Sequence, residues 1–414
     1  MEAELCDRVH QYIETIIPLI EHPPSGQLPH PYLTPGYGRQ YGDRIFCWDN
    51  HHMSMRLAIG GRPEHLRHSI DNLLHHQCGD GYVPNVVTRD DGPLCIGPGF
   101  HALPFLMQGA LMYVKQSSDV SWLRQVFGKL AGYLAYFETD LRAPHGLFRW
   151  KMAYMSGIDN DAATTFFLPD AIIPVDINAW VYMEYLAASK LARLLDRREE
   201  ASGFETKAQA LRKAVNEILW LDEESSYAAY NLCEGRNVFH CEHKYAAGAG
   251  RFAFQSCSNL IPLYARMANE DQARRMLKGY VLDERHFLSR YGIRSLSRSS
   301  DYYNNAVLAN PPRFGGHFWL TCSNWQGPVW TPLCYFMFNA LLHYGLRNEA
   351  EDLADRTLRV LAGALETRGS FSENFHAETG EPLYSEKVAS WNILADTMHR
   401  QLTEGKWIMD PVFE

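Results

Sequence analysis

Helical periodicity dominates this chain of 414 residues. In residues 176–196, apolar side chains recur at steps of three and four, which places them on one face of a helix. They are Met183, Leu186, Ala187, Leu191, Leu194 and Leu195. About twelve stretches of this kind predict helices. They lie near residues 5–21, 50–59, 62–77, 101–116, 119–139, 176–196, 204–221, 254–267, 270–279, 328–345, 347–367 and 387–403.

Most of these predicted helices form close pairs joined by short turns, such as residues 60–63 and 345–348. The sequence has no sustained period-two alternation and no Gly-rich βα turn. The simplest architecture that fits this pattern is an all-α (α/α)6 barrel, in which six helical hairpins close into a ring. An open helical solenoid is the alternative, but its repeats should resemble one another, and no such repeat is visible. No Pro-, Ser- or Gly-rich linker divides the chain, so we predict a single catalytic domain over residues 1–414.

Five long segments separate the helical pairs and carry much of the Gly, Pro, Asn, Asp and aromatic content. They are residues 78–100, 140–175, 222–253, 280–327 and 368–386. Loops of this length inside a compact domain are usually functional. We therefore expect the site at the end of the barrel where these loops gather.

Composition narrows the function classes. The aromatic fraction of 13% is consistent with a large core and also with a cleft lined by aromatic rings that bind sugars. A net charge of −9 without a Lys/Arg block argues against nucleic acid. Residues 1–20 are charged and amphipathic, which predicts neither a signal peptide nor a membrane span. Nine scattered cysteines are most simply free thiols in a reducing cytoplasm, so we expect a cytoplasmic protein.

Two histidine-bearing stretches raise the question of zinc. They are His51–His52 and residues 240–243, His-Cys-Glu-His. Neither has a second, properly spaced ligand pair, so we predict no metal and no cofactor. His65 and His68 lie one turn apart in a charged helix, where we expect them at the surface.

Carboxylates among aromatic residues in the long segments are the remaining candidates for chemistry. They occur in residues 47–50 (CWDN), 156–161 (SGIDND), 174–178 (PVDIN) and 371–375 (FSENF), accompanied by 324–330 (NWQGPVW). Each stretch alone has a structural alternative, since Asp176 could cap a helix and the tryptophans Trp325 and Trp330 could be core. Glu373 could point to solvent from a short strand, or lie in an aromatic-walled pocket. Together, two loop carboxylates and tryptophan platforms are what glycoside hydrolysis requires.

Six motifs taken in chain order, namely these five stretches and residues 80–85 (DGYVPN), resemble those of glycoside hydrolase family 63 α-glycosidases, whose (α/α)6 barrel is shared by family 37 trehalases. Residues 156–160 are similar to the family's Ser-Gly-Trp-Asp-Asn, which implies that Asp159 is the general acid. Glu373, followed by Thr-Gly-Glu at 379–381, matches the family's Glu-x-Tyr and Thr-Gly-Glu series, which implies that it is the base. The length is similar to that of the compact bacterial members that cleave glucosylglycerate and mannosylglycerate.

The same resemblance assigns a substrate site. It implies that Trp48, Asp49 and Asn85, the last in Asp-Gly-Tyr-Val-Pro-Asn, hold the non-reducing sugar. The full set of residues that it places around the substrate is Trp48, Asp49, Asn85, Asn160, Asp176, Trp325, Gln326, Trp330 and Trp391.

The chain also departs from the family pattern. Ile158 replaces the usual Trp, Gln326 replaces the usual Arg, and residues 161–165 lack the Arg that commonly follows the Asp motif. Ala-Leu-Pro at 102–104 stands where trehalases carry Gln-Pro-Pro. These differences argue against a trehalase and leave the leaving group open.

The function implied is an inverting α-glycosidase, an α-glucosidase acting on a small α-glucoside such as a disaccharide or a glucosylglycerate-like compound. Two alternatives remain. A sugar isomerase or epimerase on the same barrel would recruit a histidine base such as His52, His240 or His317. A non-catalytic sugar-binding barrel would keep the tryptophans without needing both carboxylates. The expected partner is a small carbohydrate, with neither nucleic acid nor membrane, and homo-oligomerisation is left open.

Overall fold

The computed structural model describes residues 3–94, 100–168, 170–243, 250–253, 255–306 and 323–414, with the side chains of 3, 153, 240–243 and 250–253 excluded. The α-helices of these residues are α1 (Ala3–Ile20), α2 (Cys47–Ile59), α3 (Glu64–His75), α4 (Leu106–Ser117), α5 (Val120–Asp140), α6 (Ala162–Thr165), α7 (Val175–Leu194), α8 (Arg198–Ala214), α9 (Ile261–Tyr264), α10 (Glu270–Met276), α11 (Thr331–His343), α12 (Arg347–Arg368), α13 (Ala395–Glu404) and α14 (Asp410–Phe413). Short π-helical turns, Val215–Leu219 and Leu277–Val281, extend α8 and α10.

The strands are short and pair locally. They are β1 (Glu21–His22), β2 (Tyr32–Leu33), β3 (Arg44–Phe46), β4 (Val86–Thr88), β5 (Gly92–Pro93), β6 (Ile172–Ile173), β7 (Trp220–Leu221), β8 (Ser226–Tyr227), β9 (Ala229–Asn231), β10 (Arg236–Val238), β11 (His240–His243), β12 (Gly250–Ala253), β13 (Leu288–Ser289), β14 (Gly292–Ile293), β15 (Ser372–Phe375) and β16 (Pro382–Glu386). Their small sheets have the orders β1-β2, β3-β4-β5, β10-β9-β6, β7-β8, β11-β12, β13-β14 and β15-β16. Strands of two to five residues are too short to show a sustained period-two pattern, which is why the sequence did not predict most of them.

Every predicted helical stretch contains a helix, but one is much shorter than expected. The stretch 254–267 holds only a 3-10 turn, Cys257–Leu260, and the four-residue α9. Ser256 forms a β-bridge with Leu296, so the chain is extended just before this point. Arg266 adopts a left-handed backbone conformation, with φ of 55°, which ends the helix. The predicted long helix here is therefore wrong.

The chain divides into two compact units. One comprises Ala143–Ala179 and Arg212–Tyr384, and we call it the acid–base unit because it contains Asp159 and Glu373. The other comprises Glu2–Arg142, Trp180–Leu211 and Ser385–Glu414, and we call it the Trp48 unit. The expectation of one domain over residues 1–414 stays a prediction.

In the Trp48 unit, α2 is buried along almost its whole length, from Cys47 to Ala58, and packs against α3. Burial of a charged residue in such a helix requires a partner. Arg56, 3% exposed, has one: its Nε donates to Asp396 Oδ1 at 2.8 Å, and its Nη2 donates to Oδ2 at 2.7 Å. This pair fixes α2 against α13.

The acid–base unit has α11 at its core. Residues Thr331 to Leu341 are all buried, and α11 packs against α9 and the amphipathic α12. Pro332 fits the start of α11, where a missing N–H costs nothing. Because α11 begins directly after Trp330, its burial fixes the end of the segment NWQGPVW.

The expectation of a surface position is wrong for His65. Its side chain is buried, at 3% exposure, because that face of α3 packs on α2, where Ser54 Oγ donates to the His65 carbonyl at 3.1 Å. His68 is half-buried.

All six cysteines whose side chains are described are free thiols: Cys6, Cys47, Cys78, Cys233, Cys257 and Cys334. None of the helices in the described residues combines the length and the apolar character needed to cross a membrane.

Candidate active site

Asp159 lies in a tight turn between α5 and α7. Gly157 supplies the left-handed conformation, with φ of 79°, that the turn requires. The Ile158 N–H donates to Ser156 Oγ at 3.0 Å, and the Asp161 N–H donates to the Ile158 carbonyl at 3.0 Å. Ile158 and Asn160 are buried, whereas Asp159 between them is half-buried. The turn therefore presents one partly accessible carboxyl.

Three hydrogen bonds join this turn to residues 323–330, which we call the tryptophan segment. The Trp325 N–H donates to Asn160 Oδ1 at 2.8 Å, and Gln326 Nε2 donates to the Asn160 carbonyl at 3.3 Å. Asn324 Nδ2 donates to Asp159 Oδ2 at 3.3 Å. Asn160 and Gln326, which the resemblance placed around the substrate, thus hold two chain segments together at fully buried positions.

The rings of the tryptophan segment pack against each other. Trp325 and Trp330 are stacked, with centroids 3.8 Å apart and an interplanar angle of 6°. Their exposed fractions are 2% and 1%, and Trp330 Nε1 donates to the Asn324 carbonyl at 2.9 Å. This placement favours the alternative in which both tryptophans are core and shape the segment from within.

Glycine is required at the centre of the tryptophan segment. A Cβ on Gly327 would lie 2.2 Å from the Asn304 carbonyl oxygen. The Asn304 N–H donates to the Gln326 carbonyl at 2.9 Å, and the Gly327 N–H donates to Ser295 Oγ at 3.0 Å. The close approach of the backbones allows these bonds to form.

Glu373 lies in β15, which is bonded to the same segment. The Val329 N–H donates to the Phe375 carbonyl at 2.8 Å, and the Phe375 N–H donates back to Val329 at 3.0 Å. Phe371 and Phe375 are fully buried, and so are Ser372 and Asn374 on the opposite strand face. Glu373 is the one half-buried residue of this strand. A strand with a solvated face would expose Ser372 or Asn374, so their burial favours the pocket interpretation of Glu373.

Two other carboxylates of the acid–base unit are completely buried. Asp161 caps α6, accepting from the Ala163 N–H at 3.0 Å, and burial raises the pKa of its carboxyl. Asp176, in the first turn of α7, accepts from Trp150 Nε1 at 3.1 Å. Burial raises the pKa of Asp176 to about 7, and the nearby charge of Asp161 adds to the effect. At zero exposure these groups support the structure around the Asp159 turn.

In the Trp48 unit the structure brings together four other predicted residues. The Cys47 N–H, one residue before Trp48, donates to the Asn85 carbonyl at 2.9 Å. Ser390 Oγ, beside Trp391, donates to Asp49 Oδ1. Trp48 also packs edge-on against Phe105 and Trp180. Trp48, Asp49, Asn85 and Trp391 are 4%, 8%, 4% and 9% exposed.

The buried Oδ1 of Asn85 has no hydrogen-bond partner among the residues that the structure describes. A buried amide oxygen without a partner is costly, and a ligand hydroxyl would satisfy it.

The buried histidines of α2 are neutral. His52 Nδ1 lies 2.9 Å from the Trp48 carbonyl, and burial lowers the pKa of His52 to about 3. Burial also lowers the pKa of His51. Within the described part of the chain, no group of three or more His, Cys, Asp and Glu residues could hold a metal ion. The side chains of His240 and Cys241, and the whole of His317, lie outside the described residues.

The predicted set of site residues did not include Trp150, Asp161, Asn324, Tyr384 and Ser390. Asn324 contacts Asp159, and Tyr384 fixes Asn324, whose N–H donates to the Tyr384 hydroxyl at 3.1 Å. Three of them lie within quoted motifs or directly beside one: Asp161 ends SGIDND, Asn324 begins NWQGPVW, and Ser390 precedes Trp391. That proximity was the available signal.

A comparison with known families decides the class. The family model described as mannosylglycerate hydrolase MGH1-like glycoside hydrolase domain matches residues 43–389. The chain belongs to this family. The matched range contains every predicted site residue of this MGH1-like domain except Trp391.

Solved structures with the same fold support the assignment. The GH63 mannosylglycerate hydrolase from Thermus thermophilus, in complex with glucose, has a TM-score of 0.69 and 16% identity over 95% of this chain and 99% of that chain. An uncharacterized conserved protein from the same organism has a TM-score of 0.70 and 16% identity, over 95% of this chain and 100% of that chain. The neutral trehalase of Saccharomyces cerevisiae has a TM-score of 0.63 and 13% identity over 96% of this chain and 82% of that chain.

These comparisons confirm two predictions. The MGH1-like domain has the (α/α)6-barrel fold class of these enzymes. It is a GH63-like glycoside hydrolase, a class that acts on α-glycosides.

Proposed function

We propose that the MGH1-like domain is an inverting α-glucosidase that hydrolyses a small α-glucoside. Asp159, as general acid, donates its proton to the glycosidic oxygen while the bond from that oxygen to the anomeric carbon breaks. Glu373, as general base, takes a proton from a water whose oxygen attacks the anomeric carbon from the opposite face. The sugar leaves with inverted configuration, and the aglycone leaves as an alcohol.

The placement of the two carboxyls carries this proposal. Asp159 and Glu373 are both half-buried, and each lies on a segment that is hydrogen-bonded to the tryptophan segment. Asp161 and Asp176 are fully buried, so they have no surface to offer a substrate. A glycosidase of this class needs two carboxyls that reach the substrate, and these are the two candidates supported by both geometry and sequence motif.

Asp49 and Asn85 are the proposed sugar-binding residues. Asp49 is held in place by Ser390, and the buried Asn85 Oδ1 lacks a partner among the described residues. Carboxylate and amide oxygens can both accept hydrogen bonds from sugar hydroxyls. Trp391, beside Ser390, is proposed as the apolar surface for the ring.

The proposed aglycone is small, as in a disaccharide or a glucosylglycerate-like compound. Gln326 stands where the family commonly has Arg, and its Nε2 donates to the Asn160 carbonyl at 3.3 Å. The tryptophan segment therefore brings no cation to the leaving group at this position. Hydrolysis of glucosylglycerate, mannosylglycerate and neutral α-glucosyl disaccharides, measured side by side, would rank these aglycones.

Proton NMR during hydrolysis tests the mechanism. We expect the β-anomer of the released sugar to appear first, because a single displacement inverts the α-linkage. Initial release of the α-anomer would mean retention and would contradict the role of Glu373 as a base.

The same assay separates hydrolysis from isomerisation, since an isomerase would release no aglycone. The properties of His52 also favour hydrolysis. With a pKa lowered to about 3, this imidazole is a poor base for proton abstraction near neutral pH.

A further inference from the structure

A basic cavity lies in the acid–base unit, at the end of α11 that is remote from the tryptophan segment. Its volume is about 690 Å³, which is in the range of small-molecule sites. The charged residues of its lining are Arg212, Arg266, Glu270, Arg274 and Lys278, with His343 beside them. Four cations against one carboxylate make the lining strongly positive in a chain whose net charge is −9.

Arg274 and Lys278 of this cavity lack the carboxylate partners that the adjacent Arg275 has among the described residues. Arg275 pairs with Asp222 and, at 3.0 Å, with Asp271. Among the described residues, neither Arg274 nor Lys278 forms an ion pair, although both lie on the same helical turns as Arg275. Surface cations of this kind that line one concavity create a local positive potential that attracts an anion.

The walls of the cavity are held in place by internal bonds. Arg212 Nε donates to the Met267 carbonyl at 3.0 Å, and the Tyr344 hydroxyl donates to the Ala268 carbonyl at 3.2 Å. Asn269 and Gln272 form a reciprocal cap at the start of α10. Arg266, another residue of the lining, is half-buried, and its backbone has a left-handed conformation that arginine seldom adopts. Such conformations persist where the surroundings fix them, often at ligand sites.

We propose that this cavity binds a small metabolite that carries phosphate. Guanidinium groups match phosphate oxygens in geometry and charge, and three of the four cations are arginines. The site is separate from the catalytic one, because α11 extends for 13 residues, about 20 Å, between Trp330 and the cavity. A ligand here is therefore an effector and not the substrate, and the inference does not depend on Asp159 or Glu373.

Isothermal titration calorimetry on the full chain tests the proposal. The probes are inorganic pyrophosphate and glucose 6-phosphate, each titrated with excess glucose present so that the proposed catalytic site is occupied. We expect saturable binding of at least one probe. Binding of pyrophosphate alone identifies phosphate as the recognised group, and binding of glucose 6-phosphate alone identifies a phosphorylated sugar; both outcomes support the site.

Charge variants locate the binding. Arg274→Glu/Lys278→Glu should weaken it about tenfold or more, since two charge-assisted contacts are lost. The neutral double variant Arg274→Gln/Lys278→Gln should weaken binding less. It replaces the charge-reversed double variant in the test if that variant has a much lower Tm than the wild type. Lys213→Glu is the matched control, because this exposed residue of α8 lies outside the lining. Its binding should stay within about twofold of the wild type.

Three outcomes would overturn the proposal. One is the absence of saturable binding by either probe. Another is equal weakening by Lys213→Glu and by the neutral double variant, which would reflect general electrostatics. The third is sulfate binding as tightly as the phosphate probes, which would mark an unspecific anion patch.

Discussion

Asn324 contacts the proposed acid, Asp159, from a backbone conformation that few residues adopt, with φ of 25°. A donor to a carboxylate favours the ionised form. We therefore expect Asn324→Gly, which tolerates this backbone, to move the basic limb of the pH profile of kcat/KM to higher pH. Asn324→Asp should move it further, because a second carboxylate 3.3 Å away opposes ionisation of the first.

The measurement is kcat/KM from pH 4 to 9 for both variants and the wild type. A purely structural role for Asn324 would lower the whole profile without moving its basic limb. In that case Asp159 would not be the acid that this limb reports.

Glu373 gives the second prediction at this scale. Glu373→Gln keeps the shape of the side chain but cannot take a proton from water, so kcat should fall about 10²–10⁴-fold. Substrate affinity measured by calorimetry should change little. Azide, a nucleophile that needs no base, should partly restore turnover in Glu373→Ala.

Glu366→Gln is the control, because Glu366 is exposed on α12 close in sequence to β15. It should keep wild-type activity. Near-normal turnover in Glu373→Gln would return this strand to the interpretation in which its carboxylate is merely solvated.

Contacts between distant residues explain what the sequence could not predict at the residue scale. Asn324 and Asp159 are separated by 165 positions, and Ser390 and Asp49 by 341. Motif order suggested Asp159, Glu373 and Asp49, but nothing in a single sequence shows which side chain will hold each of them. The burial of Trp325 and Trp330 was likewise undecided, because a ring in a core and a ring in a cleft have the same composition.

At the element scale, Gly327 determines how the tryptophan segment docks. Gly327→Ala would place a Cβ 2.2 Å from the Asn304 carbonyl oxygen, and neither backbone can move without breaking the bonds that join them. We expect a loss of about 1–3 kcal/mol in the free energy of unfolding, typical of overpacking. Differential scanning calorimetry should show a lower Tm.

Gly363→Ala is the matched control. Gly363 lies within α12, and its added Cβ would meet no atom within 4 Å. Alanine in a helix interior is favoured over glycine by about 0.5–1 kcal/mol, so this variant should melt slightly higher. Equal effects of both substitutions would mean that the Asn304 contact does not constrain the segment.

Long helices were predictable and short elements were not. The stripe in residues 347–367 predicted α12 almost to its ends, because an amphipathic pattern of that length fits only a helix. The stripe at 254–267 was misleading, since tertiary pairing of Ser256 with Leu296 overrides the local pattern. For residues 371–375 the sequence left open a short strand with a solvated carboxylate or an aromatic-walled pocket. That both faces of β15 are largely buried could not be deduced from a strand of four residues.

At the scale of the whole molecule, paired helices with short turns and the order of six motifs were enough to predict the fold class and the family. The division into two compact units was not predictable, because no change in composition marks it. Two of the four boundaries between the units lie within α7 and α8, where a continuous helix conceals them.

Buried ionisable groups make the stability of the chain depend on pH in two opposite ways. Burial raises the pKa of Asp176 and of Glu184 to about 7, so each group costs stability as pH rises from its unfolded value near 4 to about 7. Burial lowers the pKa of His52 and of His101 to about 3, so each costs stability as pH falls below about 6.5. The two effects confine maximal stability to an intermediate pH.

Asp176→Asn isolates the first effect. The amide cannot ionise, and its oxygen can still accept from Trp150 Nε1. Relative to the wild type, the variant should therefore gain stability as pH rises from 4 to 8, by an amount on the order of 4 kcal/mol for a shift from 3.8 to about 7. Urea denaturation at pH 4, 6 and 8 measures this gain. Asp352→Asn is the control, because Asp352 is 51% exposed in an ion pair with Arg356 on α12 and should show a small, nearly constant difference. A constant difference for Asp176→Asn as well would show that Asp176 is ionised in the folded chain throughout this range, and that Trp150 and the start of α7 stabilise its charge.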